Sequence, residues 1–243
     1  MLPLLALLVG LSGAPAAARP QCGVSTVRST AKGRSYIVRL PSSCQALPLP
    51  FVMLVHCYGC SAAMEIRKYA TDADHRGVGL VAPEGVDSSF NAPHCCGTAK
   101  EQGIDDVGFI DSVVAELVAE GLADARAVSV TGFSNGGFMA SHLVDPVSRS
   151  RTHWASVATA AGHEYLLSRT SPLPVAMHHC KDDSLVNASG CCAREASADL
   201  RGVVPPWLAS SSTYCPGGHT SVCLPRRLSV CPGQTAVSLP RMS

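Results

Sequence analysis

Apolar and polar positions fall into two recurring patterns along this chain: short apolar runs, and longer stretches where apolar residues return every three or four positions. The run 51–55 has no polar member, the mark of a central strand covered on both faces. Residues 35–40, 78–82, 128–131, 154–159 and 173–177 read as further strands. Helical spacing governs 104–120, where Val107, Ile110, Val113, Val114 and Leu117 share one face, and 61–76 and 135–143 also suit helices. Strand and helix thus alternate from 51 to 177, which predicts an α/β fold with a mostly parallel central sheet flanked by helices. Between these blocks, 41–50 is proline-rich and 83–103 is a long loop rich in Asn, Pro, His and Cys, a length that usually carries function or covalent staples. From 205 the chain turns proline- and cysteine-rich, and 221–224 is the one plausible last strand there. No repeat or linker interrupts the pattern, so 19–243 reads as a single domain.

The first 18 residues stand apart: a leucine-rich run gives way to small residues ending Ala16-x-Ala18, the form of a secretory signal peptide, although no Lys or Arg precedes the run. The run is shorter than the ~20 apolar residues a bilayer span takes. Secretion is therefore expected, with no membrane span. Twelve cysteines agree, since a reduced compartment rarely sustains so many without a metal motif. Cys57-x-x-Cys60 lacks the second pair that would complete four zinc ligands, so a metal site is not expected. Adjacent cysteines bond to each other only with strain, so the pairs Cys95-Cys96 and Cys191-Cys192 are each expected to bridge to separate distant partners. Asn187-Ala188-Ser189 is a glycosylation sequon. A formal charge of +1 with no basic run gives no footprint for nucleic acid. No cofactor is expected, and the protein is expected to be a monomer.

Candidate chemistry centres on Gly132-x-Ser134-x-Gly136, set between the strand 128–131 and the helix 135–143. This is the nucleophile-elbow pattern, in which a strained turn lifts a serine hydroxyl out of a sheet and small residues on either side let strand and helix approach. Serine is a weak nucleophile at neutral pH, so Ser134 needs a base to take its proton and preorganised donors for the oxyanion.

Four local segments go further: 54–59 (LVHCYG), 90–97 (FNAPHCCG), 104–109 (IDDVGF) and 132–137 (GFSNGG). Together they resemble the α/β-hydrolase fold, and more narrowly the secreted esterase family that includes polyhydroxybutyrate depolymerases and feruloyl or acetylxylan esterases. The resemblance runs from about Tyr36 to Asp183. It implies a serine carboxylic-ester hydrolase working through an acyl-enzyme on Ser134, with feruloyl or acetyl esters on plant polysaccharide, or polyhydroxyalkanoate esters, as its partners. The oxyanion hole implied by the fold comprises the amide of Asn135 and one from the loop after Val55, for which Tyr58 is the choice and Cys57 its neighbour. Related proteins have His-Gly where this chain has His56-Cys57. His56 in this motif is expected to brace the oxyanion loop.

The triad order of this fold is serine, acid, histidine. The segment 178–183 looks like the family's His-Gly-x-x-Asp-x-x-Val, with Val186 in register, which assigns the acid to Asp183 and leaves Asp182 as the fallback. Chain order makes His219 the base. His219 nevertheless precedes the strand 221–224, while the family carries its Gly-His after it and residues 225–233 contain no histidine. Either the last strand lies elsewhere, or the triad is incomplete, or the reading frame there is damaged. His163 sits on the correct edge but out of chain order. Asp105 and Asp106 open a helix, where capping accounts for them. Two other readings keep the same scaffold: a hydrolase-like binding protein without a proper triad histidine, and a serine peptidase.

Overall fold

The computed structural model describes residues 19–44, 46–93, 95–162, 173–178 and 186. The signal segment, the sequon, Cys191 and Cys192, and the strand 221–224 lie outside the described residues. So do the candidates Asp182, Asp183, His163 and His219.

Strands β1 (Ser25–Ser29) and β2 (Ser35–Arg39) open the domain, followed by β3 (Leu49–Val55), helix α1 (Ala62–Arg76) and β4 (Gly79–Pro83). The short α2 (Thr98–Glu101) precedes α3 (Asp106–Ala119), β5 (Ala123–Phe133), α4 (Asn135–Val144), β6 (Trp154–Ala160) and β7 (Val175–His178). The strands form one sheet in the order β1-β2-β4-β3-β5-β6-β7. Pairing is antiparallel for β1 with β2 and β2 with β4, and parallel from β4 through β3, β5, β6 to β7. The expected fold class is borne out: the chain forms a mostly parallel sheet flanked by helices and stapled by disulfides. Among the described residues, no helix is long and apolar enough to cross a membrane.

The unbroken apolar run of β3 divides by the two-residue period of a strand. Phe51, Met53 and Val55 join a core with Phe109, Ile110 and Val113 of α3 and Phe138 and Met139 of α4. Val52 and Leu54 point the other way, into a core with Ala62, Ile66, Tyr69 and Ala73 of α1. Both faces are thus covered, which is why no polar residue interrupts the run. Helix α1 ends where Gly77 takes φ 65°, donating its amide to Ala73 O, and His75 and Arg76 occupy the negative end of its dipole.

One strand escapes the sequence pattern, and two expectations need correction. Strand β1 does not appear in the apolar pattern because it is an edge strand, with Val27 70% exposed and polar neighbours. Of the acidic pair at the start of α3, Asp105 is the cap, accepting from Gly108 N at 2.8 Å. Asp106 is buried instead, and anchors other parts of the chain. Cys95 and Cys96 are bonded to each other, not to distant partners: their peptide bond is cis and the Cα atoms stand 3.2 Å apart. Cys22–Cys44 and Cys57–Cys60 are the other disulfides among the described residues.

Candidate active site

Strand β3 is flanked by β4 on one side and β5 on the other, so the chain runs outward one way after β3 and then returns to the opposite side. In open α/β sheets the crevice outside the carboxyl ends at such a reversal is where ligands bind. Two segments meet there: the loop 56–60 after β3, and the turn from β5 into α4.

At that turn Ser134 takes φ 54° and ψ −121°, a region that costs a residue with a Cβ on the order of 1–3 kcal/mol and persists only where the surroundings enforce it. The surroundings do so in two ways. Ser134 N donates to Ala160 O at 2.8 Å and Ser134 O accepts from Phe138 N at 3.0 Å. Missing side chains then let the backbone close up. A Cβ on Gly132 would overlap Gly136 O, one on Gly136 would overlap Val55 O, and one on Gly162 would overlap Ser134 O. The G-x-S-x-G signature explains the first two of these positions. Gly162 carries no motif signal, because its need arises from an approach across the sheet. Ser134 itself is partly exposed, at the positive N-terminal end of α4.

His56 is fully buried. Its Nδ1 lies 2.8 Å from Cys57 O, and its Nε2 accepts from Gly85 N at 3.0 Å. Only the neutral ring with its proton on Nδ1 satisfies both contacts. Burial lowers its pKa below the ordinary histidine value, against opposing pulls from the Cys57 carbonyl and from Glu84 at 3.6 Å. With both nitrogens engaged, His56 ties the loop after β3 to the loop after β4 and has no free nitrogen to offer a serine. This is the bracing role its motif suggested.

The loop 57–60 is closed by the Cys57–Cys60 disulfide and by Cys60 N donating to Cys57 O at 3.1 Å, while Gly59 N reaches Ser88 O at 2.9 Å. Its Tyr58 is 57% exposed and rests against Gly97, where a Cβ would stand 2.6 Å from the ring. Asp106 supports the facing loop from behind. One of its oxygens accepts from Asn91 N at 2.6 Å and the other from Arg34 at 2.6 Å. Burial raises its pKa, and the Asn91 amide and Arg34 pull the other way. Asn135, fully buried, accepts from Phe90 N and donates to Phe90 O and Cys95 O.

Of the sequence candidates, Ser134, Asn135 and Tyr58 therefore stand at the carboxyl ends of β5 and β3. Among aromatic residues near the elbow, Phe138 is core at 1% exposure, whereas Tyr58 and Phe133 face solvent. Strand β7 ends with His178 paired to Ala160, at the level of the elbow.

No protein-family model matches the chain. Over 183 residues it is 30% identical to the provisionally assigned esterase NocK of Nocardia uniformis subsp. tsuyamanensis, covering 71% of this chain and 52% of that protein. The chain thus spans about half the length of that relative. Among solved structures, a thermostable esterase aligns with TM-score 0.48 and 14% identity over 69% of this chain and 48% of that one. The acetyl xylan esterase of Aspergillus awamori aligns with TM-score 0.45 and 15% identity over 62% and 58% of the respective chains.

Proposed function

We propose that this protein is a secreted serine carboxylic-ester hydrolase. The observation that carries the reading is the backbone of Ser134, held at φ 54° by its own hydrogen bonds and by the close approaches that Gly132, Gly136 and Gly162 allow. Ser134 Oγ attacks the ester carbonyl, and its proton passes to His219, oriented by Asp183. The amides of Asn135 and Tyr58 take the developing oxyanion. Collapse expels the alcohol, protonated by the same histidine, and leaves an acyl-enzyme. A water molecule, deprotonated by that histidine, then releases the acid and regenerates Ser134.

The acyl group is assigned to the feruloyl and acetyl esters of plant polysaccharide, with polyhydroxyalkanoate esters as the sibling class. The exposed rings of Tyr58 and Phe133 beside the elbow suit a planar feruloyl group. A fluorophosphonate probe tests the reading: rapid labelling of the purified protein is expected, and Ser134→Ala abolishes it and lowers kcat by at least about 10⁴-fold. Absence of labelling from a folded protein overturns it and favours the hydrolase-like binding protein. Rates on p-nitrophenyl acetate, methyl ferulate and a peptide anilide then separate esterase from peptidase. Turnover of the anilide alone counts against the ester assignment.

A further inference from the structure

We infer that the side chain of Asn135 is a positioning residue, a clamp that fixes Phe90 and residues 95–97 against the elbow and thereby sets the wall of the cleft and the placement of Tyr58. The catalytic part of this inference rests on the hydrolase reading above; the clamp itself does not.

An oxyanion amide at position 135 asks nothing of the side chain, since any residue but proline supplies the N–H. The asparagine needs another reason, and its contacts give one. Oδ1 accepts from Phe90 N at 2.8 Å, while Nδ2 donates to Phe90 O at 3.0 Å and to Cys95 O at 2.9 Å. Asn135 and Phe90 are both fully buried, so no solvent replaces these bonds. Both sides of one peptide unit pair are read at once: a donor meets Oδ1 and two acceptors meet Nδ2, which fixes the amide orientation and excludes aspartate, whose second oxygen would face two carbonyl oxygens.

From this clamp the contacts run on to the opposite side of the cleft. Cys95 is bonded to Cys96, Gly97 follows, and the Tyr58 ring lies against the bare Cα of Gly97. The residue after the nucleophile thus holds, through 95–97, the residue that offers the other oxyanion amide. The two donors must keep their spacing for the oxyanion to be held, and a recession of this wall also widens the space for the acyl group.

Hydrogen exchange tests the clamp without reference to activity. In the wild-type protein the Phe90 amide is expected to exchange as slowly as the amides of β3 and β5; exchange at the rate of an open loop overturns the inference. In Asn135→Ala, protection at Phe90 and across 95–97 is expected to fall about 10- to 100-fold while the sheet stays protected, the size of one buried bond lost. Unchanged protection there also overturns it. For the catalytic consequence, kcat on p-nitrophenyl acetate is expected to fall about 100-fold in both Asn135→Ala and Asn135→Asp at a temperature where both proteins, though lowered in thermal midpoint, remain folded. The octanoate-to-acetate preference rises in Asn135→Ala. A uniform loss that follows the folded fraction, with the same chain-length preference, marks a merely structural asparagine and overturns the positioning role. If the wild-type protein resists the fluorophosphonate but loop protection depends on Asn135, the clamp stands and the hydrolase reading fails.

Discussion

Around Ser134 the chain is shaped by side chains that are missing, whereas the loops facing it are held by side chains that are present. At the elbow, Gly132, Gly136 and Gly162 bring carbonyl oxygens to positions any Cβ would occupy. In the facing loops, the side chains of His56, Asp106 and Asn135 grip the main chain at Gly85, Phe90, Asn91 and Cys95. Steric exclusion of the first kind is nearly all-or-none, because backbone cannot turn aside as a flexible side chain can. Polar anchoring of the second kind is graded, and where the anchor titrates it answers to pH.

The contrast is tested most severely by Gly136→Ala. Its Cβ would meet the carbonyls of Val55 and His56, so a loss of about 3 kcal/mol or more is expected in urea unfolding, together with loss of fluorophosphonate labelling. A stable, reactive Gly136→Ala protein would break the comparison. Next in size is Arg34→Ala, which leaves the fully buried Asp106 carboxylate without its cation and should cost about 2–3 kcal/mol in the same measurement. Here the folded fraction is expected to keep a reactive Ser134, because the elbow does not depend on that pair.

A smaller effect comes from His56. Its folded-state pKa lies below the unfolded value, so on acidification the unfolded chain takes up the proton first. Its contribution is complete above about pH 6.5 and declines as pH falls from there toward the folded pKa, with a slope of at most about 1.4 kcal/mol per pH unit. Unfolding midpoints at pH 7.5 and 5.5 check this, and the difference should flatten in His56→Gln. An equal slope in both proteins would place the titration elsewhere. Smallest is Asp105→Ala, which removes a helix cap on an exposed turn and should cost about 1 kcal/mol in the same unfolding curves, without effect on labelling.

The neighbours Asp105 and Asp106 show what the sequence conveys and what it withholds. Both fit the first turn of a helix, and local spacing makes them equivalent. They part only because Arg34 and Asn91 arrive from distant segments, a tertiary fact with no local signature. The strands β3 to β6 and the elbow were legible because each depends on its own run of residues. Strand β1 was not, since an exposed edge has no apolar stripe to declare it. Gly162 was not, because what it must avoid is a carbonyl of the neighbouring strand's turn. The bond between Cys95 and Cys96 ran against the general preference of adjacent cysteines for other partners. The strained turn at Ser134 and the brace at His56 each have a short motif of their own, and Asn135 and Tyr58 are oxyanion candidates through the same motifs. Asp183 and His219 rest on chain order and family likeness, and lie outside the described residues.

The glycine wall also has a genetic side. Every amino acid other than glycine carries a Cβ, so no missense change at codons 132, 136 or 162 escapes the overlap, whichever base is altered. In a library or a natural population these codons should behave almost like stop codons. Diversity is expected instead at exposed positions such as Tyr58 and Phe133, where a new side chain leaves the turn that holds Ser134 undisturbed.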